Sequence, residues 1–415
     1  MSQRQVVRNA RLFDSAAGVM RPGTTIVIEG EQVVAVSQQP LQVDDAQVID
    51  AAGRAVLPGL IDAHVHVVAT SHDLAGLALQ PPSLVTAQSS QIMRAMLHRG
   101  FTTVRDAAGA DYGLQAAVAN GLFEGPRLFI AGFPISQTGG HADMRPQGVR
   151  GSGMFCSCAG LGLIGAIADG VGEVRRAVRE QVRTGANHIK IMAGGGVSSP
   201  TDPIDGTQFS VEELRAAVEE AEAANLYALA HAYSPRAVTR AVQAGVRSIE
   251  HGNLIDEATV RLMKTHGTYL VPTLSTYAAL GAEGARLGWS AAMLDKLRMV
   301  QERGIDAVRL AMSEGVPVAF GTDLLGHMHD QQSGEFALRA PAMTPLQVLQ
   351  SATITAARLM RQESRIGQIV PGAYADLLIV EGDPTQGLDM LADPARGIAL
   401  LMQGGRAITA GALST

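Results

Sequence analysis

Leu57-Pro58-Gly59-Leu60-Ile61-Asp62-Ala63-His64-Val65-His66 is an apolar run that ends in two histidines one residue apart. A short run of this kind, opened by Pro-Gly, reads as a strand buried on both faces. Alternate residues of a strand share a face, so both imidazoles point the same way. The same texture recurs along the chain, each apolar run followed by a helical pattern. The candidate strands are Gly59 to Val67, Thr102 to Asp106, Arg127 to Gly132, His188 to Ala193, Tyr227 to His231, Ser248 to His251, Tyr269 to Thr273, and Val316 to Asp323. Helices fit between them. Ser210 and Glu213 make a capping box, with Val211, Leu214, Val218 and Ala221 at helical spacing behind it. Ser234-Pro235 opens another helix that Gly245 closes, and Thr344-Pro345 opens a further one. Eight strands with interleaved helices predict an α/β fold, a (β/α)8 TIM-type barrel, with a doubly wound open sheet as the competing arrangement.

The two ends of the chain read differently. Val6-Val7, Thr25 to Ile28, Val33 to Val36 and Val48-Ile49 are short β-type runs punctuated by Gly, Asp and Pro. Ala375 to Val380 and Ile398 to Met402 repeat that texture. We expect residues 1–57 and 365–415 to form one small flanking β-sandwich, and residues 58–364 the barrel. A chain of 415 residues is long enough for both.

Composition narrows the function classes. Hydrophobic residues at 47% and charged residues at 17% suit a globular enzyme. A net charge of −6 without a block of like charges argues against nucleic acid or an anionic membrane as partner. Cys156 and Cys158 stand one residue apart in a Gly-rich stretch and are expected to be reduced thiols. The opening MSQRQVVRNARLFD has no continuous apolar segment, so no signal peptide is expected. Ala159 to Ala168 is too short to span a bilayer. A cytoplasmic location is the expectation.

A barrel of this kind forms its active site at the C-terminal ends of its strands. His64 and His66 close the first strand, Lys190 lies in the fourth, His231 ends the fifth, His251 the sixth and Asp323 the eighth. Imidazole and carboxylate are what borderline divalent ions such as zinc bind. Taken singly, each has a plain structural reading: a hydrogen-bonded histidine, as for His98, His188 and His266, a lysine paired with a carboxylate, an aspartate capping a helix. Taken together, at the strand ends of one barrel, they read as a metal centre.

These residues resemble the amidohydrolase superfamily: the segment Leu57 to His66 is similar to its first-strand signature. The Lys190 strand, the two later histidines, Gly321-Thr322-Asp323 and the flanking β-domain are also similar. Gly139-Gly140-His141, the run His188 to Gly196, and His231-Ala232-Tyr233-Ser234 resemble the imidazolonepropionase-related branch. That branch includes metal-dependent Xaa-Pro and other dipeptidases, N-acyl amino acid hydrolases and ochratoxin-cleaving amidases. The resemblance implies two divalent ions, zinc expected, with His64 and His66 on the more buried one and His231 and His251 on the other. It implies Asp323 as a further ligand and as general base then acid. It implies an N-carboxylated Lys190 whose carbamate bridges the ions. His141 and Tyr233 are the implied substrate contacts, with a loop histidine and a packing tyrosine as the alternative.

The expected substrate is a small molecule with a free carboxylate, a dipeptide or N-acyl amino acid, and a homo-oligomer is expected. A cyclic amide, imidazolone or lactone hydrolase is a second reading, and the lysine argues against its single metal. A catalytically silent scaffold is a third, and six filled ligand positions argue against it. Asp143, Arg145, Asp202 and Asp205 are expected on loops around the pocket. His327 and His329 read as solvated loop residues, with extra ligands or pocket lining as the alternative. Gly194-Gly195-Gly196 lacks phosphate-loop spacing and reads as a bend close to the metals. The stretch Gly151 to Gly165, with Phe155, reads as a lid, a pocket wall or a subunit contact.

Overall fold

The computed structural model describes residues 4–39, 41–145, 148, 161–199, 202–284 and 286–410. Cys156, Cys158, Phe155 and most of the Gly151 to Gly165 stretch lie outside these residues. In chain order the strands are β1 (Arg4–Asp14), β2 (Val19–Glu29), β3 (Gln32–Ser37), β4 (Gln47–Asp50) and β5 (Ala55–Pro58). Next come β6 (Leu60–Val65), β7 (Phe101–Asp106), β8 (Arg127–Ile130), β9 (Ile135–Ser136) and β10 (Ala166–Ile167). Then follow β11 (Ile189–Met192), β12 (Ala228–Ala232), β13 (Ser248–His251) and β14 (Tyr269–Val271). The chain ends with β15 (Leu377–Val380), β16 (Ile398–Gln403) and β17 (Arg406–Ala410).

The two termini share one sheet, in the order β17-β16-β15-β5-β1-β2-β3 with β4 also on β1. The stitch is the antiparallel pair β15–β5, in which Leu378 faces Leu57 and Ile379 faces Val56. Val7, Leu12, Ile26, Ile28, Leu377, Ile379 and Met402 form a core of their own beneath it. Only Gly59 separates β5 from β6, so this sheet fixes where the first parallel strand starts.

The parallel strands form two sheets, β6-β7-β8 and β10-β9-β11-β12-β13-β14. Their residues are almost all buried, as expected of strands covered by helices on one side and packed inward on the other. Backbone bonds continue past both sheets. Asn187 N donates to Ile130 O at 2.7 Å, which links β8 to the start of β11. Ala319 N donates to Leu270 O at 2.9 Å and Ala63 N to Phe320 O at 2.8 Å, so residues 319–320 lie between β14 and β6.

That last segment corrects a sequence expectation. Val316 to Asp323 is not a full strand; Val318 makes an isolated parallel bridge to Leu270. Pro317 has no N–H to give the ladder, and Asp323 turns into the left-handed region at φ 56°. The short strands β9 and β10 were not foreseen, being two residues each.

The helix signals are borne out. Ser210 caps Val211–Ala223 with Glu213 completing the box, Ser234 caps Pro235–Ala244, Gly245 ends it at φ 99°, and Thr344 caps Pro345–Gln350. Among the described residues no helix is long and apolar enough to cross a membrane.

Candidate metal centre and active site

Alternation puts Asp62, His64 and His66 on one face of β6 and its extension, while Ile61 and Ala63 join an apolar cluster on the other. In β11, Ile189 and Ile191 belong to the main core and Lys190 faces the opposite way. The turn Gly321-Thr322-Asp323 is tied to β6. Thr322 N and Asp323 N both donate to His64 O, at 3.2 and 2.8 Å. Thr322 Oγ1 donates to Asp62 Oδ2 at 2.6 Å. A Cβ on Gly321 would sit 2.9 Å from the Cβ of His64 and 2.4 Å from a Val271 methyl, so only glycine lets the two segments meet.

The carboxylate of Asp323 thereby reaches the histidines. Its Oδ1 lies 3.1 Å from His66 Nε2 and 3.5 Å from His64 Nε2, and its Oδ2 lies 4.0 Å from His251 Nδ1. His64, His251 and Asp323 offer ligand atoms all within 4.8 Å of one another. The His231 ring centroid is 4.6 Å from that of His251. Lys190 is 2% exposed and makes no hydrogen bond or ion pair among the described residues. The alternative reading, a lysine paired with a carboxylate, is therefore not seen among these residues.

His251 reaches this cluster against the parity of its strand. Glu250 faces inward with Ser248, so an extended chain would send His251 outward. Its left-handed backbone, φ 76°, breaks the alternation and turns the ring in. Thr273 and Asp323, at φ 49° and 56°, are also non-glycine residues in that region. Such strain is held only where the surroundings over-determine it, and three of the nine such residues in the described chain stand around this cluster.

Each candidate histidine has one ring nitrogen fixed by a neighbour. His64 Nδ1 donates to Glu250 Oε2 at 2.6 Å, His66 Nδ1 to Ala108 O at 2.8 Å, and His231 Nε2 to Gly195 O at 3.1 Å. His251 Nδ1 meets Thr273 Oγ1 at 2.8 Å. The opposite nitrogens of His64 and His231 are left as lone-pair donors, the arrangement that orients metal-bound imidazoles, while His66 Nε2 faces the Asp323 carboxylate at 3.1 Å. His64 Nε2 is buried without a hydrogen-bond partner among the described residues. The donor set fits a divalent ion.

The electrostatics agree. Burial holds His64 and His231 well below the ordinary histidine range and His251 down at about 3, so these rings are neutral and able to ligate. Burial opposes charge on His66 too, but the adjacent Asp323 carboxylate outweighs it and raises the ring. Burial would raise Asp323; His64 and His66 overcome this and keep its carboxyl well below the usual range. Burial pushes the Lys190 amine down to about 8, against the pull of Glu250 and Asp323.

Glu250 and Arg105 were missed in the sequence. Both are fully buried. Arg105 Nη2 donates to both Glu250 oxygens at 2.9 Å, and Ser248 Oγ donates to Oε1. Glu250 is thus held by an arginine while it holds His64. The available signal was a charge inside each of two apolar runs, Val104-Arg105 and Ile249-Glu250, since buried charges need partners. Glu250→Gln is expected to weaken metal binding about 10- to 100-fold, read by competition with a chelating dye. Unchanged affinity would limit Glu250 to supporting the fold.

His141 and Tyr233 are both buried at the mouth of the cluster. His141 stacks on His231 with centroids 4.3 Å apart, and Tyr233 stacks on His251 at 5.1 Å. His141 Nδ1 donates to Asp202 Oδ2 at 3.1 Å, and Tyr277 Oη donates to Tyr233 Oη at 2.9 Å. His141, Tyr233, Tyr277, Lys190 and the candidate ligands line a cleft, with Leu74, Leu163, Leu280 and Leu325 among its apolar walls.

Other expectations fare unevenly. Asp202 lies against the cleft through His141, and Asp143 pairs with Arg145 at 2.5 Å. Asp205 is exposed. His327 is exposed and pairs with Glu283. His329 is not a solvated loop residue: it is 4% exposed, and Nε2 donates to Ala69 O at 3.2 Å. His188 is a core histidine that donates to Asp106 O, and His98 pairs with Glu124.

Residues 55–408 match the family described as "Amidohydrolase family". Ochratoxinase of Aspergillus niger is 32% identical over 376 residues, covering 85% of this chain and 75% of that protein. The crystal structure of a prolidase complexed with N-methylphosphonate-L-proline superposes with a TM-score of 0.95 at 46% identity, covering 98% of this chain and 100% of that one. That of a Xaa-Pro dipeptidase with bound methionine gives 0.85 at 30% identity, over 98% and 99%. These neighbours imply a TIM-barrel-type fold with a β-rich domain.

Proposed function

The chain belongs to the amidohydrolase family and is a hydrolase acting on amide bonds, and from that premise we propose that it cleaves a linear amide in a dipeptide or N-acyl amino acid, ochratoxin-like amides included, using two divalent metals. The observation that carries this reading is the set of oriented imidazoles around Asp323, with His64 Nε2 left without a hydrogen-bond partner among the described residues. We read the two parallel sheets, joined through Asn187–Ile130 and through residues 319–320, as one (β/α)8 barrel with the cluster at its C-terminal mouth.

His64, His66 and Asp323 would hold one ion, His231 and His251 the other. Lys190 would stand between them as a carbamate. Its free amine adds to carbon dioxide and loses one proton, which gives an anion with two oxygens. Divalent ions, zinc by expectation, supply an acidified water and a polarised carbonyl.

The remaining steps belong to the protein. Asp323 Oδ1 is committed to the His64 and His66 side, so Oδ2 is the atom that takes a proton from the attacking water and returns it to the leaving nitrogen. Tyr233 Oη accepts a hydrogen bond from Tyr277 Oη, which leaves its own O–H for the substrate carbonyl oxygen as negative charge develops there. His141, fixed at Nδ1 by Asp202, keeps Nε2 for the same end of the substrate. The leucine walls suit an apolar side chain.

The test is a library of dipeptides and N-acyl amino acids, each with its C-terminal amide counterpart, offered to zinc-loaded protein. Hydrolysis of linear members, with the free acid preferred, is the expected result. Turnover confined to lactones or cyclic amides would overturn the substrate class.

A further inference from the structure

The helix Ala291–Glu314 runs beside the cleft without contributing a lining residue. Its half-buried Lys296 nevertheless reaches the loop after β11. Nζ donates to three backbone carbonyls, those of Gly196 at 3.3 Å, Ser199 at 3.0 Å, and Asp202. An ammonium has three donors and no acceptor, so this one spends all three on a single loop. No carboxylate pairs with it among the described residues. We propose that Lys296 is a positioning residue: it gathers this loop so that Asp202 holds the imidazole of His141 at the cleft. The inference rests on the role given to His141 above.

Three contacts link the ammonium to the ring. Asp202 Oδ2 accepts from His141 Nδ1, and also from Gly196 N at 2.9 Å. The carbonyls of the same two residues, Asp202 and Gly196, are two of the three that Lys296 grips. The loop backbone also packs on the ring, since a Cβ on Gly196 would lie 1.7 Å from His141 Cε1. Release of the carbonyls therefore loosens the carboxylate, which Gln208 Nε2 also holds at 3.2 Å, together with the wall of the imidazole.

The neighbouring metal ligand is held by other means. His231 donates to Gly195 O, and Gly194 and Gly195 are fastened to residues 206–207 by a backbone bridge and a Gly195 N–Gly206 O bond of 3.2 Å. The His141 backbone is likewise secured separately, by its N–H to Gln208 Oε1 at 2.9 Å. Loss of Lys296 should thus disturb the His141 ring and spare the metal centre.

Lys296→Met keeps the aliphatic stem and removes the donors. In zinc-loaded protein with labelled histidines, the low-field Nδ1–H resonance of His141, assigned by its absence in His141→Asn, should broaden or vanish while zinc content stays at the wild-type value. Against the fastest-cleaved member of the dipeptide and N-acyl amino acid library, kcat/KM should fall about 10- to 100-fold. In the His141→Asn background the same substitution should change kcat/KM by less than about twofold, because coupled residues do not add. An unchanged resonance, or an equal loss in both backgrounds, would overturn the proposal. Loss of zinc in Lys296→Met would overturn it too. If the resonance goes but His141→Asn turns over normally, Lys296 stands as the anchor of His141 and the catalytic role of His141 falls. Should Lys296→Met fail to fold, Lys296→Gln reads the same resonance.

Discussion

Asp323→Asn should cut turnover by about 10²- to 10⁴-fold, the range a positioned proton carrier contributes, and more if ligation suffers as well. The substitution is well suited to the question. Position 323 has φ 56°, a conformation asparagine tolerates better than other side chains, so the backbone need not move. Asn also keeps the shape of the carboxylate and one acceptor oxygen beside His64 and His66. What it loses is the negative charge and the ability to take a proton. Thermal melting by circular dichroism should move little, while kcat falls. A variant with near-normal turnover would show that the proton passes elsewhere.

Lys190→Ala should be more damaging still. The side chain is buried, makes no hydrogen bond or ion pair among the described residues, and lines the cleft with His64, His251 and Asp323. An ammonium there would be repelled by two dications, and its burial without a partner is costly. The carbamate reading removes both penalties and supplies two oxygens. Elemental analysis should find depleted metal in Lys190→Ala, with turnover lost in parallel. A short carboxylic acid such as propionate, entering the vacated space, should restore part of both. Retention of full metal content and turnover would exclude Lys190 as a ligand in any form.

Much of this centre could be read from strand parity. His64, His66 and Lys190 follow it, and their neighbours Ala63, Val65, Ile189 and Ile191 fill the opposite face, so pattern alone pointed them inward. His251 could be found as a histidine at a strand end, but not as a residue turned inward by a positive φ, because no local pattern encodes that turn. Glu250 was hidden for a related reason. Its partners Arg105 and His64 are 145 and 186 residues away in the chain, and only the assembled strands bring the three together. The end of the parallel set was read too generously: Pro317 and the left-handed Asp323 leave a single bridge where a strand was expected. Lys296 lies on a long amphipathic helix, where a lysine ordinarily signals a solvated face. Its three carbonyl partners become visible only with the loop in place.

The central claim is that the cluster around Asp323 holds metal and that hydrolysis depends on it. The direct measurement is elemental analysis beside turnover of an amide substrate, on chelator-stripped protein and again after addition of zinc, cobalt or manganese. The account predicts no turnover in the stripped protein, recovery on reloading, and two ions per chain at full activity. Amide hydrolysis that persists after metal removal, verified on the same sample, would contradict it.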